Sequence, residues 1–285
     1  MKKQTLLVAL ALTLALALGV TGCGGSKSGE KKADSAQTSR LDEVKKRGVL
    51  VAGVKDATPP FGFVDDNKQL VGFEIDLLKY IADKMGVKLE LKPVTSSTRI
   101  PMLTQGSVDI VAATMTHKQE RESQIDFTIT HFMDGQSLLV KKGSSIKSVK
   151  DLSGKKVGTA KGSTSEKNVM KANPQAQVLS FEDYPPAFLA LKQGKVEAVT
   201  TDSSILVGLK NKDENPDAWE IVGGTFTEEP YGMGVPQNDS KFRNFVNNTL
   251  IEMWRSGEYA KLYEKWMGPN TKYHIPLTWK MELWP

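Results

Sequence analysis

Val108-Asp-Ile-Val-Ala-Ala-Thr-Met-Thr-His-Lys-Gln-Glu-Arg121 is the stretch that decides the fold of this chain. Residues 108–113 form an apolar run that reads as a buried strand. Two threonines and a fixed cation stand beyond its carboxyl end. That edge of an open α/β sheet is where small ligands dock, and an arginine placed there grips a carboxylate through two parallel hydrogen bonds. Taken alone, the segment also reads as a surface arginine paired with Glu120 or Glu122.

Working outward, strand-like runs alternate with segments of helical period, which argues an α/β protein. Residues 48–54 read as a first strand. Phe73, Leu77, Leu78, Ile81 and Met85 repeat at helical spacing, and Gly86 follows as a stop. Residues 87–91 make a second strand, 99–105 a short helix capped by Ser97 or Thr98, and 136–140 a further strand. After a polar break at Lys141-Lys-Gly-Ser-Ser the pattern restarts. Strands are expected at 156–159, 177–179 and 197–200. Helices are expected from Gly162-Ser-Thr-Ser-Glu166 to about Lys171, over 184–193 and over 202–210. A pattern that resets rather than continues implies two lobes. Helices over 240–256 and 257–266 carry aromatic core anchors, and the Pro- and Trp-containing tail, 267–285, is expected to lie over the surface.

The amino terminus carries an address. Met1-Lys-Lys precedes an apolar stretch from Leu6 to Val20, too short to span a bilayer comfortably but suited to a signal-peptide core. It ends in Val20-Thr-Gly-Cys23, which resembles a bacterial lipoprotein cleavage box. Cleavage before Cys23 and lipid on its thiol are the expectation, giving an exported protein anchored to the cell membrane. Cys23 is the single cysteine of the chain, so no internal disulfide is available and the core must stabilise the fold. Residues 24–39 lack apolar bulk and read as a flexible tether. About 245 residues remain to fold, more than one ordinary domain and less than two large ones. The formal net charge of +5, from 38 basic and 33 acidic residues, is too mild for a nucleic-acid binder, and no basic stripe interleaves with aromatics.

At the level of motifs the chain resembles the periplasmic amino-acid-binding proteins, the extracellular solute-binding proteins of family 3. The residues that carry the resemblance are Pro60-Phe61, Leu70-Val-Gly-Phe-Glu-Ile-Asp-Leu77, Arg99-Ile-Pro-Met-Leu103, Val108-Asp-Ile110, Thr114-Met-Thr116 with Glu120-Arg121, and Ile125-Asp-Phe127. Further along they are Val149-Lys-Asp-Leu-Ser-Gly154, Gly162-Ser-Thr-Ser-Glu166, Ala198-Val-Thr-Thr-Asp202 and Tyr231-Gly-Met233. The resemblance implies a type II periplasmic-binding-protein fold: two α/β lobes joined by a two-strand hinge, closing on a ligand between them. The expected bounds are leader 1–22, tether 23–39, first lobe 40–141 plus 236–285, and second lobe 142–235, with crossings near 140–143 and 231–235.

The same resemblance implies the chemistry of the cleft. Arg121 takes the ligand carboxylate with the backbone N–H of Thr116. Asp202 takes the ammonium with Thr114, and the Gly162-Ser163-Thr164 turn adds helix-terminal N–H groups. Phe61 and Met115 are carried as further cleft residues. Many relatives sandwich the ligand side chain between aromatics, but Thr58 and Ser96 occupy those positions here. Lys55 and Arg99 stand near the cleft instead, as in the glutamate/aspartate-binding subgroup, and several cations around one cleft suit an acidic side chain. Tyr184 falls where that subgroup often has a histidine. From the residues alone, Asp202 also reads as a plain helix cap, Arg99 and Lys55 as ordinary charges, and Tyr184 as packing.

The expected function is therefore capture of glutamate or aspartate by a monomer that delivers it to the permease of an ABC importer. No cofactor, metal or catalytic residue is expected. His117, His131 and His274 are scattered, and no nucleophile elbow or phosphate loop appears. The alternative is an enzyme of the cyclohexadienyl dehydratase type on the same scaffold, with Glu166 or Glu182 as general acid.

Overall fold

A computed structural model describes residues 38–283. The leader, the lipidation candidate Cys23 and the tether up to residue 37 lie outside the described residues. The elements run α1 (Arg40–Arg47), β1 (Val49–Val54), β2 (Ala57–Thr58), β3 (Gly62–Val64), β4 (Leu70–Val71), α2 (Phe73–Met85), β5 (Lys88–Pro93), α3 (Arg99–Thr104), β6 (Ile110–Ala112), α4 (Gln119–Glu122), β7 (Asp126–Asp134) and β8 (Gln136–Lys141). They continue with β9 (Lys156–Ala160), α5 (Thr164–Ala172), β10 (Gln177–Phe181), α6 (Tyr184–Lys192), β11 (Ala198–Asp202), α7 (Ser203–Lys212), β12 (Trp219–Val222), β13 (Glu229–Val235), α8 (Ser240–Arg255) and α9 (Glu258–Met267).

Two five-stranded sheets organise the lobes. The first has the order β5-β1-β6-β13-β7 and the second β10-β9-β11-β8-β12. In each, three strands run parallel and only the fourth runs against its neighbours: β1 pairs parallel with β5 and β6, and β9 with β10 and β11, while β13 is antiparallel to β6 and β7 and β8 is antiparallel to β11 and β12. A small meander, β2-β3-β4, stands beside the first sheet.

Local sequence explains the elements that frame the cleft. The apolar spacing of α2 buries Phe73, Leu77, Leu78 and Ile81 completely, and Gly86, at φ 75°, closes the helix by donating its N–H to Ala82. Helix α6 begins Tyr184-Pro-Pro, which suits a first turn whose N–H groups need no partner. Its cap is Asp183, whose carboxylate accepts from Tyr184 N at 2.9 Å. Ser39, expected at the end of the tether, instead caps α1 and donates to Asp239 Oδ1 at 2.7 Å. The tail is more than a surface covering: Met281 is buried, and Trp279 packs against Trp254 and Tyr259 with ring centroids 5.5 and 5.9 Å away.

Both lobe crossings fall earlier than expected. β8 belongs to the second sheet and β13 to the first, so the chain changes sheets at Gly135 and returns between Val222 and Glu229. The polar break after residue 141 is a turn within the second lobe, because the apolar run of β8 satisfies its backbone against β11 and β12. The two crossing segments run side by side: Phe226 N donates to Gln136 O at 2.9 Å, and Gln136 N donates to Thr227 Oγ1 at 3.0 Å. Among the described residues no helix is long and apolar enough to cross a membrane.

Candidate functional site

The parallel strands of the two sheets present their carboxyl ends to one cleft. Lys55 follows β1, Ser96 and Arg99 follow β5, and Thr114 to Thr116 follow β6 in the first lobe. In the second, Gly162 to Thr164 follow β9, Asp183 and Tyr184 follow β10, and Asp202 ends β11. The topology thus gathers residues far apart in the chain at the sheet edge where open α/β folds bind ligands.

Arg121 is buried on α4. Its Nη1 donates to Thr116 O at 2.7 Å, and Nη2 lies 3.4 Å from Gly162 O across the cleft. Burial, reinforced by the Arg99 cation, pulls its ionisation down to about 10, so it stays charged at neutral pH. Asp202 is also buried, and Tyr231 donates its hydroxyl to Oδ2 at 2.5 Å while Oδ1 has no partner. The competing reading of Asp202 as a helix cap does not hold, because its side chain caps nothing. Asp134, from the hinge end of β7, does that work: Ser204 N donates to it at 3.2 Å and Ser203 Oγ at 2.7 Å. Relieved of capping, Asp202 meets Tyr231 of the first sheet instead. Burial pushes the Asp202 carboxyl well above the ordinary range, and the nearby carboxylates of Asp134 and Glu229 add to the shift.

Thr114 sits at φ 46°, a strained backbone for a β-branched residue. Two groups hold it there. Glu74, fully buried on α2, accepts Thr114 N with both oxygens at 2.9 and 3.1 Å, and Arg99 Nη1 donates to the carbonyls of Ala113 and Thr114 at 2.6 and 3.1 Å. Arg99 is therefore buried within the fold, not a surface charge. Its Nε, with Ser96 Oγ, Thr58 Oγ1, Thr114 Oγ1 and Asp202 Oδ1, belongs to the buried polar atoms of the described residues that have no hydrogen-bond partner. Such atoms are costly, and their concentration around one cleft marks it as a polar binding site.

Several expected site residues do other work. Lys55 is fully buried and spans the cleft to Asp183, with Nζ 2.8 and 3.0 Å from its two oxygens and 5.3 Å from the Tyr184 ring centre. The sequence reading expected Lys55 to meet an acidic ligand side chain; its partner in the structure is Asp183. Burial lowers the lysine's pKa, and Asp183 opposes that shift. Met115 lies in the apolar cluster of Leu103, Val111, Ile125 and Phe127. Phe61 packs edge-on to Phe132 and Tyr231, with centroids 4.9 and 5.5 Å apart, so it backs the tyrosine that holds Asp202. Ser163 Oγ is turned into its own loop, donating to Ala160 O at 2.7 Å, and Thr164 Oγ1 donates to Glu229 at 2.9 Å. Gly162 is required by close approach: at φ 74°, an added Cβ would stand 2.9 Å from Ser97 Cα of the opposite lobe. Tyr184 is buried, and its hydroxyl is pushed up to about 12.

Asp183, Glu229, Asp134 and Glu74 were missed by the sequence reading. Each is a carboxylate with a partner tens of residues away, and nothing in the local sequence points to that partner. Among the described residues no cluster of His, Cys, Asp or Glu is arranged to hold a metal.

Two α/β lobes joined by two adjacent crossing strands, with opposed buried charges at the facing strand ends, define a two-lobed binding protein. Residues 50–269 match the family model of bacterial extracellular solute-binding proteins, family 3, and the chain belongs to that family. It is 43% identical to the "ABC transporter glutamine-binding protein GlnH" of Bacillus subtilis (strain 168), covering 90% of this chain and 93% of that one. It is 33% identical to the "Glutamate/aspartate import solute-binding protein" of Salmonella typhimurium, covering 89% and 87%. A solved structure of an ancestral arginine-binding protein bound to glutamine superposes with a TM-score of 0.75 at 46% identity, covering 78% of this chain and 99% of that one. These relatives are named as solute-binding proteins of transport systems.

Proposed function

We propose that this chain captures a free L-amino acid between its lobes, glutamine in preference, and delivers it to the permease of an ABC importer. The observation that carries the reading is the placement of buried Arg121 in one lobe and buried Asp202, with an unpartnered oxygen, in the other. A zwitterion satisfies both. Arg121 takes its carboxylate together with Thr116 N–H, and Asp202 and Thr114 take its ammonium. Because the two charges belong to different lobes, one ligand favours the closed form over the open one.

Glutamine is preferred because the side-chain end of the cleft presents a neutral pair. Lys55 donates and Asp183 accepts, which matches the carbonyl and the amino group of a carboxamide; a carboxylate would meet Asp183 as a like charge. The relative at 43% identity is named for glutamine. A second reading, glutamate or aspartate, is favoured by Arg99, a buried cation with an unpartnered Nε, and by the relative at 33% identity. Removal of residues 1–22, lipid on Cys23 and a monomeric chain on the outer side of the membrane complete the proposal.

A calorimetric titration with each of the twenty amino acids tests it. Glutamine is expected to bind most tightly and to raise the melting temperature by mass action. Binding of no amino acid rejects the reading, and tighter binding of glutamate moves the assignment to the second one.

A further inference from the structure

We propose that Glu229 is the latch that couples lobe closure to ligand binding, a positioning residue that acts without touching the ligand. Glu229 opens β13, the strand by which the chain returns to the first lobe, and it is fully buried. Its carboxylate collects donors from both sides of the cleft. Oε2 accepts Thr116 Oγ1 of the first lobe at 2.6 Å and Thr164 Oγ1 of the second lobe at 2.9 Å. Oε1 accepts Asn168 Nδ2 of α5 at 2.7 Å and Thr227 Oγ1 of the returning segment at 2.8 Å. Lys118 Nζ approaches to 4.0 Å from the rim.

The arrangement has two consequences. First, Thr164 and Asn168 move with the second lobe, whereas Thr116 moves with the first and Glu229 sits at the hinge. Opening strips the carboxylate of its α5 donors, and only closure satisfies it fully away from water. Second, both threonine hydroxyl protons are committed to Glu229. Thr116 and Thr164 therefore serve the ligand carboxylate through their backbone N–H groups, and Glu229 sets where those groups stand. The same rim is reinforced by Lys167 of α5, whose Nζ lies 2.8 Å from Glu120 beside Arg121. The proposal rests on the amino-acid-binding reading only for its ligand.

The test is a double-mutant cycle on the purified protein, read by calorimetry, dissociation rate and small-angle scattering. Glu229→Gln replaces an acceptor with an N–H2 group facing donors, and Asn168→Ala removes one donor without touching the proposed ligand contacts. Glu229→Gln is expected to weaken glutamine binding roughly 10- to 100-fold, the range for a lost hydrogen bond to a charged group, mostly through faster dissociation. Asn168→Ala is expected to weaken it less, and the double variant no more than Glu229→Gln alone. With saturating glutamine the Glu229→Gln protein should keep a larger radius of gyration than the wild type. Additive losses, or an affinity and radius unchanged in both single variants, overturn the latch. If the wild type binds no amino acid, the reading of the previous subsection fails by itself. The latch then stands or falls on the ligand-free radii, which it requires to be larger in both variants than in the wild type. If Glu229→Gln does not fold, Asn168→Ala decides the matter by the same readouts.

Discussion

Lys55 and Asp183 form an ion pair across the cleft, with both carboxylate oxygens within 3.0 Å of the ammonium and the lysine wholly removed from solvent. Removing one partner leaves a buried charge alone, which costs about 2–5 kcal/mol. Lys55→Met and Asp183→Asn are each expected to lower glutamine affinity by an amount in that range. The double replacement by apolar residues separates structure from recognition. It should recover most of the thermal stability lost by the single variants, since an apolar pair of similar volume is tolerated, yet leave glutamine binding weak. Recovery of affinity in the double variant would show that the pair only closes the lobes and does not read the amide.

Gly208 lies inside α7 against the first lobe's Pro59, and an added Cβ would come within 1.8 Å of the Pro59 carbonyl oxygen. A methyl group in a helix interior is ordinarily favourable by roughly 0.5–1 kcal/mol relative to glycine. Here the two effects separate by state. Gly208→Ala should leave the ligand-free protein as stable or more stable, while closure loses about 1–3 kcal/mol to overpacking. Opposite movements of the unliganded melting temperature and of ligand affinity are the expected signature. A parallel fall in both would mean that Pro59 and Gly208 stay in contact when the lobes are open.

Asp202 makes closure depend on pH. Its carboxyl is raised in the closed form by burial and by Asp134 and Glu229. Relative to the open, hydrated state, closure of the empty protein is therefore favoured most fully below the ordinary carboxylate value of about 3.9. That advantage is lost as pH rises through the raised value. A ligand ammonium reverses the preference, because it pairs with the ionised form. Empty protein should thus be more compact at about pH 4 than at about pH 8, whereas amino-acid affinity should increase over the same interval. Scattering and calorimetry at both ends check the two signs, and a flat affinity profile would remove Asp202 from the ammonium site.

Legibility in the sequence followed the range of the interactions. Helix α2 and its Gly86 stop, α8 and α9 were readable because apolar period and glycine punctuation are local. β13 was expected to be a lobe crossing because the resemblance places one at Tyr231-Gly-Met233, and Gly232 and Gly234 blur its strand signal. Their missing side chains instead admit Phe127 and Met115, whose atoms would lie 3.0 and 2.5 Å from an added Cβ. β7 and β12 went unread because mixed polar and apolar residues hide their period. In the cleft, Arg121 and Asp202 were visible through motif, and the structure buries both. Lys55 was visible but its partner was not: Asp183 stands 128 residues further on and looks locally like nothing but a helix cap.

Arg99 and Arg121 are both buried cations, yet their bonding separates their roles. Arg121 donates to Thr116 O and Gly162 O at the cleft rim, and in the proposed function its remaining donors take the ligand carboxylate. Arg99 spends Nη1 on the carbonyls of Ala113 and Thr114, under the strained turn. Arg121→Ala should cost about 2–5 kcal/mol of binding for every amino acid alike, and Arg121→Lys should recover little because a lysine cannot reproduce paired donors. Arg99→Met should loosen the Thr114 turn and weaken glutamine about ten-fold, with glutamate falling by the same factor. The ratio of the two affinities is the decisive quantity. If Arg99→Met spares glutamine and selectively removes glutamate binding, the guanidinium reads a side-chain carboxylate and the acidic assignment replaces the amide one.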